Sequence, residues 1–362
     1  MPEVIIQQLI RKEVHPGAPP LVSVIVVNWN RRDLLRSCLA SLAAQQGAPF
    51  EVIVVDNGSD DDSARMVADE FSSRDGSRYR LITNQENRGF CAANNQGIQA
   101  ARGRFIALLN NDAEAEPMWL REMLRAFEGR DDIGMAASKV LMYEEPHRID
   151  KAGHLIYLDG QNRGRGSGQL DDGRFDTVEE TLWPDGCAAM YRKDMLLEIG
   201  GFDEDLFAYA DDAELGLRAR IAGWKCLYIP TAVVRHHRGA SLGVLNPKRL
   251  QLIERNRVLL AAKLFPWSLL LLNPFYYSLR LAAGLWASLR GRGEAARFSG
   301  ARGRLTVLFA LLRGDLAAVR LLPRFLGKRA QVDRIRRLPP AEVRRLILSN
   351  CIPLTTLSEE AI

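Results

Sequence analysis

Three short polar clusters follow apolar, strand-like runs in the first third of the chain, and each contains side chains that can hold a ligand. The third follows the run Phe105–Leu109 and ends in a carboxylate, Asp112. Polar groups are costly to bury unless they are paired, so we expect these to lie in a cleft. A carboxylate on a rigid strand tip suits a hard divalent cation that carries a diphosphate. The clusters are Asn28-Trp29-Asn30, Asp56-Asn57-Gly58-Ser59 and Asn110-Asn111-Asp112.

Two adjacent carboxylates, Asp211 and Asp212, stand near the start of a helix predicted over 207–223. The helix macrodipole favours acids in a first turn, which explains one or two of them without any function. A positioned carboxylate can also take the proton from a hydroxyl group that attacks a substrate. The pair comes after the stretch GGFDEDLFAYA, and this context favours the catalytic interpretation.

A histidine pair, His236 and His237, comes after the strand-like run KCLYIPTAVV. A single histidine in a strand is usually structural, whereas a pair after a strand end favours a functional role. The flanking Arg235 and Arg238 can pair with phosphate oxygens.

The elements that must position these residues alternate between strand and helix at intervals of roughly 30 residues, which is the pattern of right-handed βαβ units. Ligands of such sheets bind at the carboxyl ends of the strands, so the three polar clusters are predicted to share one site. The predicted fold class is α/β, a mostly parallel sheet flanked by helices. Strands are predicted over 21–28, 50–60, 79–84, 104–112 and 133–142.

Other common nucleotide sites are excluded by the sequence. The first strand is followed by neither GxGxxG nor GxxxxGK[ST], so it has no dinucleotide fingerprint and no P-loop. Hydrophobic residues make up 47% of the 362 residues, which is enough for a substantial core. The five cysteines show no metal-ligand spacing, and buried free thiols in a reducing compartment are favoured over disulfides.

The stretch from about 22 to 241 resembles the inverting family-2 glycosyltransferases of GT-A (Rossmann-like) fold, and is most similar to their rhamnosyltransferase-like branch. The resemblance rests on five motifs in order: VVNWN, VVDNGSDD, NRGFCAANNQG followed by LLNNDA, GGFDEDLFAYADDAELGLRARIAGW, and VRHHRGAS. Any one of them is weak, whereas their order over some 220 residues is specific.

The resemblance implies a nucleotide-sugar donor and a metal ion, Mg²⁺ or Mn²⁺. Asp56 falls where the family binds the nucleobase, and Asn28 and Trp29 fall at the first nucleotide-contacting turn. Asp112 falls at the second acid of the metal-binding Asp-x-Asp. The first acid of that motif is replaced by Asn110, which weakens the metal assignment and leaves Asn110 to bond the ribose or a coordinated water.

The resemblance also implies roles in the second half. Asp212 falls at the catalytic base, and Asp211 is a shorter substitute for the family's glutamate. The motif VxHxxGxS places His236 at the metal or diphosphate, with His237 as the alternative. With one carboxylate as base, a single displacement inverts the anomeric configuration.

Several positions keep two interpretations. Asn87 and Asn94 are donor contacts or turn and cap residues. Asp185 bonds sugar hydroxyls or is a turn carboxylate before Gly186. Gly89 and Phe90 lie in a turn where the backbone can approach the donor.

Residues 140–185 are polar and glycine-rich, which predicts short strands and a mobile flap over the cleft.

The sequence predicts three parts: a leader over 1–20, a glycosyltransferase domain over 21–243 and a helical extension over 244–362. Residues 280–345 contain 16 basic and 4 acidic residues, whereas residues 1–279 sum to a net charge of −5. The apolar run LFPWSLLLLNPFYYSL is interrupted by Pro266 and Pro274. We therefore expect in-plane helices on the cytoplasmic leaflet of the cell membrane. A spanning helix and a tail packed on the body are the alternatives. The basic residues alternate with long aliphatic runs, so nucleic acid is not expected as a partner.

The predicted function is transfer of a sugar, with dTDP-rhamnose as the leading donor, to a polyprenol-linked glycan in cell-surface polysaccharide synthesis. UDP- or GDP-sugars are the alternative donors. A catalytically idle binding protein of the same fold is disfavoured because Asp112 and Asp212 are both present. A nucleotidyltransferase is disfavoured because NWNRRDLL contains no glycine-rich, arginine-bearing loop.

Overall fold

Strands and helices alternate through the first half of the chain in the computed structural model, which describes residues 20–72, 78–238, 246–293 and 300–359. The predicted leader therefore lies, apart from Pro20, outside the described residues. The strands are β1 (Val22–Asn28), β2 (Phe50–Asn57), β3 (Tyr79–Asn84), β4 (Phe105–Leu109), β5 (Ala113–Ala115), β6 (Ile133–Met142), β7 (Ile149–Lys151), β8 (His154–Ile156), β9 (Asn162–Gly164), β10 (Glu179–Thr181), β11 (Ala188–Arg192) and β12 (Lys225–His236). The α-helices are α1 (Arg32–Ala43), α2 (Ser63–Val67), α3 (Gly89–Ala100), α4 (Trp119–Leu124), α5 (Lys193–Ile199), α6 (Asp211–Ile221), α7 (Pro247–Leu264), α8 (Trp267–Leu270), α9 (Asn273–Leu289), α10 (Gly300–Ile335), α11 (Pro340–Ser349) and α12 (Leu354–Glu359).

The five predicted strands all form, but the fifth, β6, does not lie beside the fourth. In the described part of the chain the main sheet has the order β10-β12-β6-β11-β4-β1-β2-β3, with β5 paired to β12 and β7 paired to β6. The neighbours β4, β1, β2 and β3 are parallel. Strand β11 runs antiparallel between β4 and β6, so the sheet is mixed.

The register of the parallel strands brings the polar clusters together at one edge. Asn28 is opposite Asp56 where β1 and β2 end. On the other side of β1, Ile25 is opposite Leu108, so Asn28 stands level with Asn111, three residues further along. Asn28 thus becomes a neighbour of Asp56, 28 residues later in the chain, and of Asn111, 83 residues later.

The two faces of the sheet have separate hydrophobic cores, which explains why β1 and β2 are apolar at nearly every position. Val24 and Val26 share one core with Leu35 and Leu39 of α1. Ile25 shares the other core with α3. The helices thus hold the sheet rigid on both sides while its carboxyl edge stays open for a site.

The first helix of the C-terminal extension packs into the same core as the sheet. Leu259 and Leu260 of α7 and the adjoining Phe265 are fully buried in the cluster that contains Ile25. Helix α10 buries Phe325 and Val332 in that cluster. This part of the extension therefore packs on the body, which is one of the alternatives that the sequence leaves open.

The next segment of the extension leaves many apolar side chains exposed. The two prolines divide it as expected, because α7 ends before Pro266 and α9 begins at Asn273, just before Pro274. No helix among the described residues is long and apolar enough to cross a membrane. We call this set of exposed side chains the apolar patch: Trp267, Leu271, Leu272, Phe275, Leu279, Leu281, Leu285, Trp286, Leu289, Leu305, Leu308, Phe309, Leu312, Leu316 and Val319.

Candidate active site

A cavity of about 680 Å³ opens at the carboxyl ends of β1, β2 and β4, where the sequence predicts the site. Its far wall comes from the glycine-rich segment after β7, the loop before α6, and α7. Helix α7 contributes Lys248, Arg249 and Arg257, which the sequence did not indicate. The predicted site residues that line the cavity are Trp29, Asn57, Asn87, Gly89, Phe90, Asn110, Asn111, Asp112, Asp185, Asp211, Asp212 and His236.

Asp56 lies just behind the cavity wall, with its carboxylate fully engaged. Asn28 Nδ2 donates to Asp56 Oδ1 at 3.1 Å, and Ser59 donates from its hydroxyl at 2.6 Å and from its backbone N–H at 3.1 Å. Asn28 in turn accepts from Asn111 Nδ2 at 2.7 Å. The three polar clusters are thus joined by side-chain hydrogen bonds, which satisfies the buried amides.

A second amide network fixes the turn before α3. Asn57 Nδ2 donates to Asn87 Oδ1 at 3.0 Å, and Asn87 Oδ1 also accepts from the backbone N–H of Gly89 at 2.9 Å. Gly89 has a φ of +86°, and a Cβ there would lie 2.5 Å from the ring of Phe207. Only glycine therefore lets this turn approach the loop that precedes α6.

Besides Asn28 and Asp56, two further predicted contacts do not line the cavity. Asn94 is buried in α3, and its Nδ2 donates to the backbone oxygen of Phe90 one turn earlier, so its amide is used inside the helix. Asn30 adopts a φ of +50°, and its side-chain oxygen accepts from the backbone N–H of Asp60 at 2.8 Å. Both residues support neighbouring backbone rather than lining the cavity.

Asp112 and His236 face each other across the cavity floor. Asp112 is 3% exposed, and its Oδ1 lies 3.3 Å from His236 Nε2 without a hydrogen bond from any described residue. His236 Nδ1 lies 2.7 Å from Asp150 Oδ2. Arg238 Nε lies 3.0 Å from the other oxygen of Asp150.

This arrangement fits a divalent cation. A buried carboxylate oxygen without a partner, beside an imidazole whose second nitrogen is held by a carboxylate, is how proteins orient metal ligands. Burial opposes a charge on His236, but the Cys187 sulfur and the carboxylates of Asp112 and Asp150 raise the pKa of His236 well above its usual value. The pocket therefore favours positive charge between Asp112 and Asp150.

Among the described residues of the histidine motif other than His236, Arg238 alone lines the cavity. His237 stacks on Tyr143 with ring centroids 3.5 Å apart and does not line the cavity. Arg235 pairs with Glu116, whereas Arg238 lines the cavity. Gly239 and Ser241 of the motif lie outside the described residues.

The acid pair begins α6, and the helix starts four residues later than the sequence predicts. Phe207, Tyr209 and Ala210 all have positive φ angles, so the chain cannot be helical before Asp211. Burial and the neighbouring Asp212 raise the pKa of Asp211 to about 8. Burial also raises the pKa of Asp212, although His154 and Lys151 act in the opposite direction.

Lys151 and His154 complete this acidic part of the site, and sequence reasoning missed both. Lys151 Nζ and His154 Nε2 each lie 2.8 Å from Asp185 Oδ2, and His154 Nε2 lies 3.5 Å from Asp212 Oδ2. Asp185 is thus a buried member of the cluster. The concentration of charge in Asp150-Lys151-x-x-His154, inside a glycine-rich segment, is the signal that could have identified them.

His154, Asp185 and Asp212 are also close enough together to be considered as a metal site. The Lys151 ammonium group already provides a positive charge at Asp185, at 2.8 Å. A divalent cation would have to displace it or lie beside it. Asp112, whose Oδ1 has no hydrogen-bond partner among the described residues, is the other candidate place for a metal.

Comparison with known proteins gives a family match for the first half of the chain. Residues 23–200, which contain β1 to β4 and the three polar clusters, match the family described as Glycosyl transferase family 2. Residues 23–200 form a family 2 glycosyltransferase domain. A stretch of 273 residues is 28% identical to an uncharacterized protein of Mycobacterium tuberculosis, and the alignment covers 74% of this chain and 82% of that protein.

A second relative has a named activity. It is N-acetylglucosaminyl-diphospho-decaprenol L-rhamnosyltransferase of Mycobacterium tuberculosis, 25% identical over 247 residues, covering 62% of this chain and 78% of that protein. Three further relatives are much longer than the part they share with this chain, which covers 32%, 25% and 18% of them.

The fold of the glycosyltransferase domain is GT-A-like. A similar solved structure is the crystal structure of GalNAc-T7 with UDP, GalNAc and Mn²⁺, with a TM-score of 0.56. The identity is 12%, and the alignment covers 86% of this chain and 58% of that chain. This likeness extends beyond the 178 residues of the family match to most of the chain.

Proposed function

We propose that the chain is an inverting, metal-dependent glycosyltransferase that moves a sugar from a nucleotide-sugar donor to a hydroxyl group of a glycan acceptor. The observation that carries the proposal is the cavity itself. It joins the strand edge at Trp29 and Asn57 to Asp112, whose Oδ1 has no hydrogen-bond partner among the described residues, and to the acid pair Asp211 and Asp212.

The donor would lie with its nucleotide at the ends of β1 and β2 and its diphosphate towards Asp112 and His236. Trp29 is exposed at this edge and offers a ring face to a base, while Arg238 lies beside His236. A bound Mg²⁺ or Mn²⁺ would act as a Lewis acid that stabilises the charge of the nucleoside diphosphate leaving group. Asp112 and His236 are the residues that would hold it.

The base that takes the acceptor proton would be Asp212. Asp211, with a pKa of about 8, is mainly protonated at neutral pH and is a poor base there. His154 and Lys151 oppose the rise in the pKa of Asp212, which favours Asp212 over Asp211 as the base. One carboxylate on the side opposite the leaving group supports a single displacement with inversion.

The sugar and acceptor are proposed by relationship. The rhamnosyltransferase relative supports rhamnose as the transferred sugar and a polyprenol-diphosphate-linked glycan as acceptor. The nucleotide dTDP and a place in cell-surface polysaccharide synthesis belong to the same proposal. A UDP- or GDP-sugar is the alternative donor.

The apolar patch and the basic extension support a position on the inner face of the cell membrane. Exposed aromatic and aliphatic side chains bury into the interface, and arginines are attracted to anionic headgroups. A lipid-linked acceptor would then be presented to the cavity at the same surface.

A donor panel tests the proposed activity. Purified protein is incubated with one donor at a time: dTDP-rhamnose, a UDP-sugar or a GDP-sugar. Each mixture also contains a synthetic polyprenyl-diphosphate-linked acceptor and either Mg²⁺ or Mn²⁺, and the release of nucleoside diphosphate is measured. We expect release with one nucleotide class, dependent on acceptor. No release with any donor, under conditions where nucleotide binding is measurable, would contradict the proposal.

A further inference from the structure

The backbone just before the acid pair has an unusual conformation. Phe207, Tyr209 and Ala210 have φ angles of +66°, +70° and +55°. A non-glycine residue in this region is strained and persists only when its surroundings enforce the conformation. The conformation turns the chain so that α6 begins at Asp211 with its first two carboxylates at the cavity.

Two neighbouring side chains of α7 hold this loop from one side: Arg255 Nη2 donates to the backbone oxygens of Asp205 at 3.3 Å and Leu206 at 2.7 Å, and Asn256 makes the larger set of bonds. Asn256 of α7 is fully buried, and its Nδ2 donates to the backbone oxygens of Leu206 at 3.0 Å, Ala208 at 2.8 Å and Tyr209 at 2.7 Å. Its Oδ1 accepts from Arg255 Nε at 2.8 Å. That bond fixes the orientation of the amide, so the N–H groups face the loop.

The opposite side of the loop rests on the start of α3. The backbone N–H of Cys91 donates to the oxygen of Phe207 at 3.2 Å. The missing side chain of Gly89 provides the space for Phe207. The loop is therefore held between the donor-side turn of the glycosyltransferase domain and helix α7.

We propose that Asn256 is a positioning residue for catalysis, which sets the place of Asp212 by holding the carbonyl groups of residues 206–209. This inference rests on the proposed function, since it assigns Asn256 to the same reaction. It makes α7 a functional part of the active site, not merely a link to the membrane-facing helices.

The test compares Asn256→Ala with the wild-type protein in the transferase assay and in hydrogen exchange. Small displacements of a catalytic group have large effects on rate, so we expect kcat to fall roughly 10- to 100-fold. The donor dissociation constant should stay within about twofold, because the nucleotide edge lies at β1 and β2. Backbone amides of residues 206–213 should exchange faster in the variant.

Two further variants make the result decisive. Asn350→Ala removes another amide of the extension, which bonds the backbone oxygen of Leu346 at 2.9 Å, and it should leave kcat and the exchange of residues 206–213 unchanged. Arg255→Lys retains the charge but removes the Nε–H that fixes the Asn256 amide, together with the Nη2 bonds to the backbone oxygens of Asp205 and Leu206. It should lower kcat in the same direction but less, and it provides the measurement if Asn256→Ala does not fold.

The outcomes separate the inference from the proposed function. Wild-type kcat and unchanged exchange of residues 206–213 in Asn256→Ala would overturn the inference. A parallel loss of donor affinity and kcat would also overturn it, because general destabilisation would then explain the effect. Absence of transfer by the wild-type protein would contradict the proposed function, while the exchange measurement would still test whether Asn256 holds the loop.

Discussion

Asp211 and Asp212 are neighbours on one helix but have different surroundings. Asp212 Oδ2 lies 3.5 Å from His154 Nε2 and accepts from the backbone N–H of Gly186 at 3.4 Å. Burial and the negative charge of Asp212 both oppose the ionisation of Asp211. Burial raises the pKa of both carboxyl groups, but the positive groups His154 and Lys151 oppose the rise at Asp212, and unequal surroundings of this kind let adjacent acids take separate roles.

Replacing Asp212 with asparagine keeps the shape of the side chain and removes the base. We expect kcat to fall by about two to four orders of magnitude, while the donor dissociation constant hardly changes. The measurement is steady-state kinetics together with nucleotide binding by calorimetry. Asp211→Asn is the matched control and should lose much less. If Asp212→Asn retained near-wild-type turnover, the base would have to be another group.

The pH dependence of turnover should report the ionisation of Asp212. Its pKa is raised by burial and lowered by His154. The base works only when ionised, so kcat falls as the pH drops through this raised pKa. Without His154 the pKa rises further, and the acid limb of the pH profile of His154→Gln should move to higher pH by roughly one unit.

The exposed His147 provides the control for that experiment, since it lies outside the cavity. His147→Gln should leave the acid limb of the profile in place. A limb that moves to lower pH in His154→Gln, or does not move, would contradict the prediction that His154 lowers the pKa of Asp212.

The metal assignment depends on Asp112. Because its Oδ1 is unpartnered and faces His236, we expect Asp112→Ala to remove the effect of Mn²⁺ or Mg²⁺ on nucleotide affinity. Calorimetric titration of nucleotide with and without the metal measures this. Glu114→Gln, two residues away and outside the cavity, should keep the metal effect. A metal effect that survives in Asp112→Ala would place the ion elsewhere.

At the scale of elements, α7 differs from the helices after it. Helix α7 buries apolar and charged side chains against the body, whereas α8, α9 and the first half of α10 expose the apolar patch. Within the apolar patch, the guanidinium group of Arg290 stacks on the ring of Trp286, and its Cζ lies 4.7 Å from the ring centroid. Apolar surface of this extent on a single chain marks an interaction site, and the basic composition of 280–345 favours anionic lipid.

Vesicle binding should depend on this patch. We expect the wild-type protein to sediment with vesicles that contain anionic lipid, and high salt should weaken part of that binding because salt screens the charge attraction. The double variant Leu285→Glu, Trp286→Glu should bind less at any salt concentration. Leu197→Glu, at an exposed leucine of α5, is the control. Equal binding by the double variant and the wild-type protein would contradict the membrane interpretation.

At the scale of the whole molecule, buried ion pairs join the glycosyltransferase domain to the extension. Lys263 Nζ of α7 lies 2.7 Å from both Glu214 of α6 and Asp203. Arg218 Nη2 lies 2.8 Å from Glu214 Oε2. A second group, formed by Glu254, Arg257 and Arg280 with Asp159, links α7 and α9 to the segment after β8. Helix α6 and the helices that expose the apolar patch thus belong to one connected structure.

Acid should unfold the protein partly through Glu214. Burial opposes its ionisation, but Arg218 and Lys263 outweigh burial and lower the pKa of Glu214 to about 2. A lowered folded-state pKa contributes stability above the unfolded pKa, and that stability is lost as the pH falls from about 4.5 to about 2.

The variant Glu214→Gln tests this linkage. Removing one partner leaves Lys263 and Arg218 buried without their carboxylate, so we expect a loss of about 3–5 kcal/mol at pH 7. Chemical unfolding between pH 2 and pH 7 measures it, and the difference from wild type should shrink towards low pH. Glu342→Gln, on the exposed face of α11, should behave as the wild-type protein. A constant difference across the pH range would exclude the linkage.

Short-range patterns in the sequence determined the first half of the fold. The apolar runs at 22–28, 50–57 and 105–109 read as strands because both of their faces are buried, and their polar ends lead to one edge because parallel strands point the same way. The order of the motifs identified the family, which the match over 23–200 confirms. The roles of the individual site residues stay predictions.

Tertiary structure alone decided the features that depend on distant parts of the chain. β11 inserts between β4 and β6, although it comes after β6 by more than forty residues. His154 meets Asp185 across 31 residues, and Asn256 meets Tyr209 across 47. Composition and periodicity indicate which residues are buried, but they do not indicate which distant residue each buried polar side chain bonds. That choice is made only when helices and strands pack, which is why α7 was predicted as part of an extension and is found at the wall of the site.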